Sequence, residues 1–218
     1  MGNFVTVSND VTELNMQTVS TLSGDVNCFF DDGSTCCLIL HATAKRLELK
    51  GERIQMRLTT VTGVIESESY MYYLHLVDTE DITHTIKVFA VDWIAGAIEK
   101  VNIDGVKGLF SAEIQAVCEK VSMRPSGDVE VLIGSNFLGL HPSDLETREN
   151  LKLKKSKFSS GLVLAGSHPA IELLEPFQGA DLPINASVRA TKLQYRSIRE
   201  YSDPNESLLA PLICCSLQ

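Results

Sequence analysis

Two long runs of alternating apolar and polar residues lie between Ile54 and Leu76. A repeat of two residues sends successive side chains to opposite faces of a β-strand, so each run predicts a strand with one buried face. The alternation is interrupted at Thr62-Gly63, which predicts a long β-hairpin with its tip near Gly63. A two-stranded hairpin is not stable alone in water, so further strands must pair with it and cover its apolar face.

The rest of the chain predicts a mainly β domain with a few short helices. Strands are expected at residues 14–22, 26–30, 83–91, 129–133 and twice within 151–165, and short helices at 37–47, near 111–120 and at 136–140. Residues 92–128 contain Trp93, several glycines and Pro125, and we interpret them as an insertion before the last core strand. The domain is expected over residues 12–172. Residues 173–218 are expected to be a poorly ordered tail or linker, because the periodicity weakens and Pro, Ser and Asn become frequent.

Composition and charge limit the classes of partner. The formal net charge is −9, whereas a nucleic-acid-binding face needs clustered Lys and Arg to neutralise phosphates. No apolar run approaches the roughly 20 residues of a membrane-spanning helix, and the first residues lack the basic and apolar regions of a signal peptide. Gly2 and Thr6 fit the minimal myristoylation pattern, but that pattern is short and no basic second anchor follows. We therefore expect neither a nucleic-acid nor a membrane partner.

The six cysteines lie at positions 28, 36, 37, 118, 214 and 215. Adjacent cysteines rarely bond to each other and no Cys-x-x-Cys occurs, so the spacing fits neither a zinc site nor a disulfide framework. We expect reduced thiols in a cytoplasmic setting, with no metal and no cofactor. His141 and His168 each precede a proline, which is typical of turns.

The segment with the clearest chemical content is the apolar stretch Val26–Phe30, which runs directly into Asp31-Asp32-Gly33-Ser34. An aspartic protease needs a carboxylate held at a strand end, where a second carboxylate about 3 Å away shares one proton with it. The protonated member hydrogen-bonds the scissile carbonyl, while the ionised member accepts a proton from the attacking water. A glycine lets the backbone turn tightly beside the carboxylate. Taken alone, the same segment also fits an ordinary surface β-turn.

A second element, much later in the chain, favours the catalytic interpretation. It reads Leu132-Ile133-Gly134-Ser135-Asn136-Phe137-Leu138. Together with the Asp loop (residues 31–34) and the hairpin between them, it resembles the retropepsins, in which an apolar strand, Asp-Ser/Thr-Gly, a flap hairpin and Ile-Ile-Gly-Arg-Asn-Leu-Leu follow in this order. The resemblance covers roughly residues 12–172. It extends in particular to the protease of Bel/Pao-type retrotransposon polyproteins, through Leu38-Ile39 with residues 44–49, residues 128–139 with His141-Pro142, and Lys157-Phe158 with residues 166–169.

The resemblance implies a retropepsin-like closed β-barrel and an aspartic endopeptidase that processes its own polyprotein, in the cytoplasm or within virus-like particles. Asp31 corresponds to the catalytic carboxylate. Because the chain contains one such motif, the second carboxylate must come from another copy, which implies a homodimer. The residues that complete or support the catalytic loop are Asp32, Gly33, Ser34, Ile133 and Gly134. The flap residues that would contact a polypeptide substrate are Thr60, Val61, Thr62, Gly63 and Val64.

Asp32 departs from the family pattern, which has Ser or Thr at this position. That hydroxyl normally bonds the loop backbone of the partner and braces the dimer. A carboxylate can accept such a bond, but it adds negative charge beside a pair of carboxyls that must share a proton. Either the enzyme tolerates this charge, or Asp32 points away, or activity is reduced. Choosing Asp32 as the catalytic residue would put Gly33 where the hydroxyl residue belongs, so Asp31 is favoured.

Two alternatives to the protease stay open. One is a catalytically inactive retropepsin-like module that dimerises or binds peptides. The other is an unrelated β-rich binding protein in which Asp-Asp-Gly-Ser is a plain turn.

Overall fold

Most of the described residues lie in β-strands, as the alternating sequence predicts. The computed structural model describes residues 12–60, 63–96, 98, 100–111, 125, 127–174 and 192–197 of the 218-residue chain. Its strands are β1 (Thr12–Glu13), β2 (Met16–Thr21), β3 (Gly24–Asp31), β4 (Cys37–Leu40), β5 (Glu52–Thr60), β6 (Gly63–Val77), β7 (Thr83–Val91), β8 (Val101–Asn102), β9 (Val131–Gly134), β10 (Ser143–Arg148), β11 (Leu151–Lys155), β12 (Leu162–Ser167), β13 (Glu172–Leu173) and β14 (Lys192–Ser197). Its helices are α1 (His41–Arg46), α2 (Asp104–Lys107) and a 3-10 helix (Ser135–Leu140). Among the described residues, no helix is long and apolar enough to cross a membrane.

The main sheet closes on itself. Its strand order is β14-β5-β6-β2-β3-β9-β4-β7, and β6 also pairs with β7, so six of these strands (β6, β2, β3, β9, β4 and β7) form a ring within the described part. The length of β6 allows this closure, because residues 71–77 pair with β7 while residues 63–71 pair with β5. The prediction of a mainly β fold is confirmed, and the ring protects most of its strand edges from water.

Strands β5 and β6 form the hairpin that the alternation predicts. Their last pair is Thr60 with Gly63, and Gly63 has a φ of +136°, a conformation that L side chains rarely adopt. The inward positions of β5 are buried residues of the core: Ile54, Met56 and Leu58. The hairpin is therefore anchored by one apolar face, and its tip is shaped by a glycine.

The structure corrects the sequence analysis at residues 37–47, where one short helix is predicted. Cys37–Leu40 is a strand that runs parallel to β7 and antiparallel to β9, and helix α1 begins only at His41. Four consecutive apolar residues have no polar face, so they suit a strand covered on both sides better than a turn of surface helix.

Besides the two-residue strands β1, β8 and β13, two six-residue strands, β10 and β14, lie where no strand is predicted. The residues of β10 are mostly exposed, so no apolar alternation marks this strand. Lys192–Ser197 (β14) pairs antiparallel with β5, inside the segment 173–218 that is predicted as a poorly ordered tail or linker. Leu193 and Tyr195 alternate with polar residues in this strand, a pattern too short to stand out from the polar composition of the segment. The rest of that segment after Leu174 lies outside the described residues.

The described part of the expected insertion covers a second sheet. This sheet has the order β1-β12-β11-β10, and β8 of the insertion pairs with β13. One hydrophobic cluster joins the insertion to β11 and β12 through Val101, Ile103, Val106, Phe110, Leu151, Leu153, Leu162 and Leu164. The helix predicted near residues 111–120 lies almost entirely outside the described residues. Residues 101–110 thus form an apolar cover on this second sheet, whereas Ile94 packs in the cluster that contains the buried face of the hairpin.

Candidate active site

Asp31 is the last residue of β3, whose alternation places Val26, Cys28 and Phe30 in the core. Strand β3 runs parallel to β9, and Asp31 pairs with Gly134 in this register. Asp31 itself is only 7% exposed. The two segments that the resemblance singled out, the Asp loop and the Leu-Ile-Gly-Ser-Asn element, are therefore brought side by side.

The carboxylate of Asp31 is held by its own loop. Its Oδ1 accepts a 2.9 Å hydrogen bond from the Gly33 N–H, and its Oδ2 accepts a 2.7 Å bond from the Ser34 hydroxyl. The Ser34 N–H also donates to the Asp31 carbonyl over 3.2 Å, and Ser34 is fully buried. Both carboxylate oxygens thus have donors, which fixes the orientation of the group.

Gly134 allows the two segments to approach closely. A Cβ at this position would lie 2.7 Å from the Ser34 carbonyl oxygen and closer still to that of Cys36, both of them backbone atoms. The next residue closes the contact, because the Ser135 N–H and hydroxyl both donate to the Ser34 carbonyl, at 2.7 and 2.8 Å. Ile133 is fully buried behind them. Gly134 thus lies against the Asp loop, and Ile133 pairs with Phe30 just before it. Ser135 makes a contact with the loop for which the sequence predicted no role.

Asp32 points away from Asp31 towards a histidine. Its Oδ1 lies 2.6 Å from Nδ1 of His141, whose Nε2 lies 3.0 Å from the Gly134 carbonyl oxygen. The side chain of His141 is 6% exposed, whereas that of Asp32 is 68% exposed. Sequence reasoning placed His141 in a turn, and nothing in the spacing could pair two residues 109 positions apart. Asp32 is thus held by a side chain of its own chain.

The predicted flap residues are described in part. The Thr60 hydroxyl donates a 3.0 Å bond to the Gly63 carbonyl across the hairpin end, and Val64 is about half exposed. Val61 and Thr62 lie outside the described residues. The buried face of the hairpin belongs to the same hydrophobic cluster as Cys36, which follows the Asp loop by two residues. One apolar cluster thus links the base of the hairpin to the Asp loop.

The described cysteines are free thiols and are buried. Burial raises the pKa of Cys37 to about 12. The Gly134 N–H, which donates to its sulfur, lowers this pKa, but its effect is smaller than that of burial. Burial also raises the pKa of Cys28 well above the ordinary range. Such thiols remain protonated at neutral pH and are poor nucleophiles. Within the described residues, no group of three or more His, Cys, Asp or Glu side chains is placed to hold a metal ion.

The chemistry within reach of this site is that of a carboxylate. Asp31 is rigid, nearly buried and bound by neutral donors, so it could accept a proton from water if a second carboxyl group were close enough to share a proton with it. Comparisons with protein-family models, with curated proteins and with solved structures found no match to this chain.

Proposed function

We propose that the chain is an aspartic endopeptidase of the retropepsin type that works as a homodimer and processes its own polyprotein. The observation that carries this proposal is the position of Asp31. It lies at the end of a buried strand, both its oxygens accept bonds from its own loop, and Gly134 of the parallel strand lies directly beside it. The aspartate of an ordinary surface turn is exposed. Such a turn also does not require a glycine on the neighbouring strand, whereas backbone atoms leave no space for a side chain at position 134.

In this mechanism the Asp31 carboxyls of two protomers share one proton. The ionised carboxyl takes a proton from the attacking water, and the protonated carboxyl hydrogen-bonds the scissile carbonyl. The peptide lies extended beneath the hairpin tip formed by Thr60, Gly63 and Val64, and pairs its backbone as an added strand. The free thiols of Cys28, Cys36 and Cys37 support a reducing, cytoplasmic compartment for this reaction.

The test is an Asp31→Asn variant of the full chain, compared with wild type in cleavage of the chain itself and of a denatured protein substrate. Asn retains the size of the side chain, its oxygen can accept the bond from the Gly33 N–H, and its NH2 group can donate to the Ser34 hydroxyl. It cannot take a proton from water, so cleavage should disappear while the melting curve changes little. Asp104→Asn on α2, where the carboxylate is exposed, is the matched control and should cleave like wild type. Cleavage by Asp31→Asn at the wild-type rate would refute the proposal.

The second candidate is a catalytically inactive module that dimerises or binds peptides. The presence of Asp32 where the family has a hydroxyl favours it, because this carboxylate already contacts His141 of its own chain and adds negative charge beside the Asp31 pair. A dimeric chain that binds an extended peptide, yet shows no cleavage that a pepstatin-like inhibitor blocks at either mildly acidic or neutral pH, would support this second candidate.

A further inference from the structure

His141 contacts the Asp loop and its supporting strand at the same time. One ring nitrogen lies 2.6 Å from the Asp32 carboxylate, and the other lies 3.0 Å from the Gly134 carbonyl oxygen. Gly134 in turn pairs with Asp31 across β3 and β9. His141 therefore contacts Asp32 directly, and it contacts Asp31 indirectly through Gly134.

Both partners of the ring are hydrogen-bond acceptors. The Asp32 carboxylate faces one ring nitrogen and the Gly134 carbonyl oxygen faces the other, so the ring bridges the exposed side chain of the loop and the backbone of β9. A hydrogen bond to an ionised carboxylate is stronger than one between neutral groups.

The surroundings of His141 hold the ring in this position. Its edge packs against Phe30, with 5.6 Å between the ring centroids and an angle of 78° between the planes. The backbone of His141 is extended, with φ −68° and ψ 146°, as expected of a residue that precedes a proline. Phe30 is the residue immediately before Asp31, so the ring also packs against the strand end that carries the carboxylate.

We propose that His141 is a positioning residue of this site, which binds the Asp32 carboxylate and anchors it within its own chain. In the related family, a hydroxyl at this position bonds the loop of the partner instead. The bond to His141 lowers the cost of replacing that hydroxyl with a carboxylate, because it holds the added negative charge away from the Asp31 pair. This inference rests on the proposed function and deepens it.

The experiment compares His141→Gln in two backgrounds, wild type and Asp32→Thr. Gln can donate to one acceptor but carries no charge and cannot bridge both. In the wild-type background we expect kcat/KM to fall roughly tenfold, mainly through kcat. In the Asp32→Thr background it should change by less than about twofold, because the contact with the carboxylate is already absent and the two residues act as one coupled pair. An equal fall in both backgrounds, or none in either, would overturn the inference. His168→Gln, another histidine before a proline, is the control and should cleave like wild type.

A spectroscopic measurement keeps the inference testable if His141→Gln does not fold. In protein with ¹⁵N-labelled histidine, the ring nitrogen shifts of His141, assigned through its contact with Phe30, should change when Asp32 is replaced with threonine, because the contact with the carboxylate is lost. Ring shifts that Asp32→Thr leaves unchanged would overturn the inference. Absence of cleavage by wild type, or cleavage by Asp31→Asn, would instead count against the proposed function, and the spectrum of His141 would still decide this inference independently.

Discussion

Asp31 and Gly134 are direct neighbours across the parallel strands β3 and β9, although they are far apart in the sequence. The space beside Gly134 is filled by backbone atoms, the carbonyl oxygens of Ser34 and Cys36. Backbone cannot move aside as a flexible side chain can. The identity of residue 134 therefore controls how closely the Asp loop and its supporting strand approach.

Replacing Gly134 with alanine should destabilise the fold and displace the Asp loop. The added methyl group overlaps backbone, and we expect the free energy of unfolding to fall by about 3 kcal/mol, at the upper end for overpacking. Urea denaturation measures this loss. Gly139→Ala is the control, because a Cβ there meets nothing within 4 Å. Equal stabilities for the two variants would show that the close contact at Gly134 is unimportant.

Replacing Ser34 with alanine should weaken the fold through the Asp31 carboxylate. The variant loses a buried hydrogen bond of 2.7 Å to Oδ2, and a bond to a charged group contributes roughly 1.5–3 kcal/mol. Chemical denaturation should show a loss of this size, with slower cleavage. Ser20→Ala removes a similar but exposed bond to Asp25 and should change stability by less than about 0.5 kcal/mol. A Ser34→Ala variant as stable as Ser20→Ala would contradict the role assigned to Ser34.

Asp78 should contribute stability that depends on pH. Its hydrogen bond with His84, helped by the N–H groups of Ile82 and Glu80, holds the pKa of this carboxyl below its ordinary range. The ionised form therefore stabilises the fold fully above the unfolded pKa of about 3.9, and this contribution is lost as the pH falls through the lower folded pKa. Asp78→Asn should melt at a lower temperature than wild type at neutral pH, and the difference should narrow in acid.

The control for this measurement is Asp81→Asn in the same turn. Asp81 has a φ of +60°, which asparagine tolerates well, so this variant should melt close to wild type at every pH. A difference between wild type and Asp78→Asn that stays constant down to acid pH would contradict the predicted linkage.

The buried cysteines should resist alkylation in the folded protein. Burial raises the pKa of Cys37 to about 12 and that of Cys28 well above the ordinary range, so the reactive thiolate is scarce at neutral pH. Peptide-resolved mass spectrometry after iodoacetamide treatment should find Cys28, Cys36 and Cys37 unmodified until denaturant is added. Rapid labelling of Cys37 in the native state would show that the contact between its sulfur and Gly134 opens readily.

The sequence allowed prediction of those parts of the site that depend on local pattern. Alternation located the hairpin of β5 and β6, and an apolar strand followed by Asp-Asp-Gly-Ser located the Asp loop. Gly134 was identified through its resemblance to a family motif, and the reason for a glycine there became visible only when backbone atoms of Ser34 and Cys36 were found beside it.

The parts that could not be predicted depend on contacts between distant segments. The bond between Asp32 and His141 joins residues 109 positions apart, and a histidine before a proline has no pattern that names its partner. The strand β14 pairs with β5, which lies more than a hundred residues earlier, and its short alternation of Leu193 and Tyr195 with polar residues does not identify that partner. The strand β4 was mistaken for helix because a four-residue apolar run has no period of its own.

The distance between the two Asp31 carboxylates in a dimer of this chain tests the central claim most directly. A structure determined under conditions that permit cleavage should show a homodimer. Its two Asp31 carboxylates should lie about 3 Å apart, close enough to share one proton. A strict monomer, or a dimer in which each Asp31 faces water without the other, would contradict the account.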